Sequence, residues 1–135
     1  MTRTIDDVTA DRLGERLADA ARRRRAIDPS ALPELTVADG YAVQRATIDR
    51  RTANAGAPVG YKVGFTTPAI QEELGVDDPT YGHVLADTVQ PEGRLDASGL
   101  IDPKLEPELA VRLGAPLDPP VTAVDVLAAT DAVVP

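Results

Sequence analysis

The stretch Gly60-Tyr61-Lys62-Val63-Gly64 sets one lysine between two glycines, each two residues away. In a strand, residues two apart share a face, so Gly60 and Gly64 strip that face of side chains on both sides of Lys62. Glycine weakens a strand interior, and two of them around an amine require a reason. One reading is a bend in a barrel strand with a solvated lysine. The other is a cation on bare backbone, where an anionic substrate comes close enough to be bound or protonated. A second stretch, Lys-Leu-Glu-Pro-Glu-Leu-Ala-Val from Lys104, sets Glu106 and Glu108 two apart around Pro107. Read as a strand, this puts both carboxylates on one face, roughly 6.6 Å apart along the backbone. Pro107 then points the other way and removes a ladder hydrogen bond, the mark of an edge or a bulge. Neighbouring carboxylates repel unless a proton or a cation lies between them. The chain has no Cys and one His, His83, so such a pair offers hard oxygen donors suited to Mg²⁺ or Mn²⁺. A solvated acidic edge is the alternative that spacing alone leaves open.

The elements that must position these groups follow from periodicity. Leu13, Leu17, Ala20 and Ala21 recur at helical spacing and predict a helix from Thr9 to about Ala26. Prolines at 29 and 33 break it. A second helix is expected from Thr36, an N-cap with Asp39 three residues on, to Gly56. After Pro58 the period becomes two, with Val59, Tyr61, Val63 and Phe65 on one face and Gly60, Lys62 and Gly64 on the other. A short helix is expected between Pro68 and Gly75, then a strand around His83–Leu85. Alternation returns from Lys104 to Gly114, a last helix starts at Thr122, and the closing Ala-Val-Val-Pro reads as the start of a strand. This is an α+β chain: a helical region over 1–57 followed by a strand-bearing region over 58–135.

Composition narrows the function classes. A net charge of −8 argues against nucleic acid, which needs clustered cations. The run Arg22–Arg25 follows an acidic segment, as a helix dipole favours, and reads as a solvated helix end or a subunit contact. No apolar run reaches the length of about 18 residues needed to span a membrane, and the first residues carry no signal-like segment, so a soluble cytoplasmic protein is expected. Asp77 and Asp78 before Pro79 read as turn formers with a secondary chance of lining a site. No phosphate-binding glycine loop or nucleophile elbow is present.

In order, "GYKVGFTTPAIQEELGVDDPTYGHVLAD", "KLEPELAV" and "VTAVDVLAATDAVVP" resemble the 2-keto-4-pentenoate hydratase group of the fumarylacetoacetate hydrolase superfamily. The resemblance runs from about Val8 to Pro135 and implies helices followed by the first strands of that superfamily's mixed β fold, incomplete at the C-terminus. It maps the family's active-site lysine onto Lys62 and its metal pair onto Glu106 and Glu108, with Mg²⁺ or Mn²⁺ as the ion. Gly64 and Tyr81 then line the substrate. The family often carries an acid before its Tyr-Gly pair; here Thr80 stands there, which leaves Asp77 or Asp78 as the substitute that moves protons, with Asp78 the one expected. The family's third metal-binding glutamate would fall at the third position beyond Pro135. The implied reaction is hydration of a short unsaturated 2-oxo acid in aromatic meta-cleavage catabolism, by a homo-oligomer with a decarboxylase partner. The alternatives are a 4-oxalocrotonate decarboxylase-like enzyme and a non-catalytic truncated remnant or binding subunit.

Overall fold

The computed structural model describes residues 2–90 and 93–135, with the side chains of residues 54 and 55 left aside. The chain forms two compact units, Met1–Ile101 and Asp102–Pro135, and each is taken by itself.

The first unit begins with two long helices. α1 (Asp7–Arg22) starts two residues before the expected Thr9, because the Asp6 side chain accepts from the Thr9 N–H at 2.8 Å and caps it. It also stops short of Ala26. Arg24 adopts a left-handed backbone at φ 54, and the N–H groups of Arg23 and Arg25 close back onto Asp19 and Ala20. Arg22 to Arg25 are all exposed and carry no buried stripe forward, so nothing holds a further turn. Asp19 pairs with both Arg22 and Arg23, the latter at 2.8 Å, so these two arginines of the basic run serve their own helix.

α2 (Val37–Ala55) has the boundaries expected from Thr36 and Gly56. Thr36 and Asp39 form a capping box. Asp39 is fully buried and also collects the N-terminal strand of chain: its carboxylate accepts from the Thr4 N–H at 2.8 Å, the Thr4 hydroxyl at 2.7 Å and the Ile5 N–H at 3.1 Å. Burial by itself would raise the Asp39 pKa; the hydrogen bonds from Thr4, Thr36 and Ile5 outweigh it and hold the group far below the usual carboxylate range. α1 and α2 pack through Ala10, Leu13 and Val43, with Ile5, Leu17, Leu32, Leu35 and Ala42 around them. Gly14 permits the close crossing, since a Cβ there would lie 2.6 Å from the Ala46 Cβ.

β1 (Pro58–Gly64) and β2 (Thr80–Leu85) form an antiparallel hairpin joined by α3 (Pro68–Leu74). β2 begins three residues ahead of the expected His83 because Thr80 and Tyr81 pair with Gly64 and Val63. The strict alternation also shortens. A register shift between Pro58 and Gly60 leaves Val59 as a bulge, and Phe65 turns into the left-handed region at φ 57, where the Gln71 amide donates to its carbonyl at 2.7 Å. Gly75 ends α3 at φ 67, as the glycine there predicts. Thr67, in the cap position before it, makes no side-chain capping bond.

In the second unit, β3 (Ala110–Leu113) pairs antiparallel with β4 (Thr130–Val134), and α4 (Ala123–Ala129) precedes β4 behind a Thr122–Asp125 capping box. Here one expectation is corrected. The Glu106–Glu108 stretch is not part of a strand; pairing begins only at Ala110 opposite Val134. Pro107 has no N–H to give to a ladder, and residues 104–109 lie outside β3. No helix of the described residues is long and apolar enough to cross a membrane.

Candidate active site

The hairpin gives Lys62 a floor wider than the sequence alone implies. Lys62 stands opposite Gly82, Gly60 opposite Val84 and Gly64 opposite Thr80, so three glycines surround one amine on a single face. None of the three has a positive φ. A Cβ at Gly60 or Gly82 would meet nothing within 4 Å, and one at Gly64 would meet only the Thr80 hydroxyl at 3.6 Å. Neither backbone geometry nor internal packing therefore requires glycine here. Gly82 was missed by strand-by-strand reading because its relation to Lys62 exists only across the pairing; the Tyr-Gly pair was the available signal.

The opposite face of the hairpin carries the aromatic residues. Tyr81 stacks on Tyr41 of α2 with ring centroids 4.7 Å apart, and Tyr61 meets Tyr81 edge-on at 5.8 Å and His83 at 5.0 Å. Two α2 side chains also take the outer backbone of β2 at this point. The Tyr81 N–H donates to the Tyr41 hydroxyl at 3.2 Å, and the Gln44 amide donates to the Tyr81 carbonyl at 2.9 Å. The ring of Tyr81 thus lies across the sheet from Lys62 and Gly64, and its direct effect on their face passes through the strand it locks.

Asp78 lies in the turn between α3 and β2. With Val37, Ala38, Tyr41 and Thr80 it lines a cavity of about 300 Å³. Glu106 and Glu108 are exposed and lie two residues apart on the segment before β3. Two carboxylates fit the oxygen chemistry of a hard divalent ion that keeps waters and takes further oxygens from a substrate. Among the described residues no group of three or more metal-ligating side chains occurs.

No family model matches the chain. It is 36% identical over 135 residues to 2-oxo-hept-4-ene-1,7-dioate hydratase of Escherichia coli, covering 97% of this chain and 51% of that protein. It is 35% identical over 111 residues to 2-keto-4-pentenoate hydratase of Paraburkholderia phymatum, covering 80% of this chain and 42% of that protein. Among solved structures, 4-oxalocrotonate decarboxylase from Pseudomonas putida G7, complexed with calcium and acetate, superposes with a TM-score of 0.88 at 36% identity over 99% of this chain and 53% of that one. The same decarboxylase complexed with magnesium and adipate gives 0.83, again at 36% identity, over 98% of this chain and 52% of that one. The chain spans about half the length of the curated relatives it matches. With the ordered motifs in place and the fold shared over nearly its whole length, the chain belongs to the 2-keto-4-pentenoate hydratase group of the fumarylacetoacetate hydrolase superfamily.

Proposed function

We propose that this polypeptide carries the lysine-bearing and glutamate-pair segments of a metal-dependent hydratase acting on a short unsaturated 2-oxo or 2-hydroxy acid. The observation that carries the reading is the glycine floor around Lys62, for which nothing inside the unit supplies a reason. A flat conjugated acid can lie against backbone at Gly60, Gly64 and Gly82 with its carboxylate toward the Lys62 ammonium. Asp78 is the residue assigned to proton movement. Hydration forms one C–OH and one C–H bond across the conjugated double bond, so a group that accepts a proton from water and returns it to carbon serves both ends. Tyr81 holds β2 against α2 and so keeps Gly82 beneath the ligand. Glu106 and Glu108 would hold the divalent ion, Mg²⁺ or Mn²⁺, which when bound polarises the 2-oxo oxygen. The residues beyond this half that the relatives carry lie outside the proposal.

A second reading has a specific observation behind it, because the two superposed structures are of a decarboxylase. The two are separated by product. The chain is assayed with Mg²⁺ on 2-hydroxypenta-2,4-dienoate for loss of the diene and on 4-oxalocrotonate for release of CO₂. Diene loss that disappears in Lys62→Met and Glu106→Gln supports hydration; CO₂ release with the same dependence supports decarboxylation. Turnover unchanged in both variants would refute the site.

A further inference from the structure

On the face of the hairpin away from Lys62, α2 and the two strands enclose a cleft of about 390 Å³, lined by Arg45, Ile48, Asp49 and Thr52 from α2 and by Pro58 and His83 from the hairpin. That volume lies in the range of small-molecule sites, roughly 300–1,000 Å³.

The state of His83 follows from its neighbour. The Gln44 side-chain nitrogen donates to the Tyr81 carbonyl at 2.9 Å, and a carbonyl can only accept. That bond fixes the amide orientation and turns the Gln44 oxygen toward His83 Nδ1 at 2.9 Å. An amide oxygen can only accept, so Nδ1 must carry the hydrogen. In the neutral ring Nε2 is then a hydrogen-bond acceptor, held in orientation by the Gln44 bond and by the Tyr61 ring at 5.0 Å.

We propose that this cleft is a second small-molecule site, distinct from the Lys62 face, that takes a short hydroxy-monocarboxylic acid. The Arg45 guanidinium pairs with the carboxylate, His83 Nε2 accepts from the ligand hydroxyl, and the hydrocarbon part lies on Ile48 and Pro58. Asp49, one turn along α2 from Arg45, sets the charge limit: one carboxylate is matched, and a second is repelled.

The test uses the only histidine of the chain. Nitrogen-15 NMR of the histidine-labelled protein, above the ordinary histidine titration range, reads one ring without overlap. The wild type is expected to show protonated Nδ1 and bare Nε2. Titration with 2-hydroxypentanoate shifts Nε2 saturably. Pentanoate, which lacks the hydroxyl, and malate, which adds a carboxylate, bind roughly tenfold more weakly, the scale of one ordinary hydrogen bond. Arg45→Gln weakens 2-hydroxypentanoate by a similar factor, and Gln44→Leu mixes the tautomers while far-UV circular dichroism stays unchanged. A proton on wild-type Nε2, no saturable shift, or equal binding of all three acids would each overturn the proposal. None of these outcomes bears on hydratase or decarboxylase turnover, which the Lys62 and Glu106 variants report separately.

Discussion

Gly14 and Gly40 provide a paired test of how α1 and α2 pack. Both are helical, and both become alanine. In Gly40→Ala the new methyl meets nothing within 4 Å, so only the backbone entropy and helix propensity change, a stabilisation of about 0.5–1 kcal/mol. Gly14→Ala gains the same propensity, but its methyl would sit 2.6 Å from the Ala46 Cβ and 2.9 Å from the Thr47 nitrogen. Two of the atoms it meets are backbone, so no side chain can swing aside to relieve the contact. The helices must separate, loosening Ala10, Leu13 and Val43, an overpacking cost of about 1–3 kcal/mol. Because propensity cancels between the variants, the difference in their unfolding free energies reads the packing cost alone. Urea unfolding followed by far-UV circular dichroism, with both slopes equal to wild type, gives that difference. Gly14→Ala is expected to be the less stable of the two by about 1–3 kcal/mol. A difference below about 0.5 kcal/mol, the ordinary range for surface changes, would refute the close crossing.

Asp39 gives a pH dependence with a definite sign. Its pKa is depressed in the folded chain, so its contribution is complete above the unfolded-state value of about 3.9 and is lost as pH falls through the folded-state value. Denaturant melts of Asp39→Asn should therefore fall below wild type at neutral pH, with the gap narrowing below about pH 4; a gap independent of pH would contradict the buried carboxylate. Leu13→Ala, at a position only 2% exposed, should cost about 2–5 kcal/mol in the same melts. The exposed Arg112–Asp131 pair, joined at 2.5 Å between β3 and β4, should contribute no more than about 1 kcal/mol, and less in high salt. A double-mutant cycle measures it.

Much of this protein was legible in its chain because the signals are local. Thr36 with Asp39, Thr122 with Asp125 and Gly75 each mark a boundary through hydrogen bonds within a few residues, Gly56 marks one through its positive φ, and those helices end where the sequence puts them. Closing Ala-Val-Val likewise forms a strand. The ordered lysine, glutamate and Tyr-Gly motifs were sufficient to place the family. Other features depend on partners far along the chain. Glu106 and Glu108 alternate like strand residues, yet a strand exists only where another strand supplies its hydrogen bonds; Pro107 between them has no N–H to offer one, and pairing begins at Ala110. Asp39 reads as an ordinary cap, and only the arrival of Thr4 and Ile5 makes it a buried anchor. Gly82 becomes part of the Lys62 floor through cross-strand register, and His83 acquires a defined tautomer because α2 brings Gln44 beside it. Side-chain type and spacing thus determined the elements and the chemistry on offer, since both act over a few residues. Pairing and packing decided which groups share a face, because no local pattern encodes the contact of residues forty positions apart.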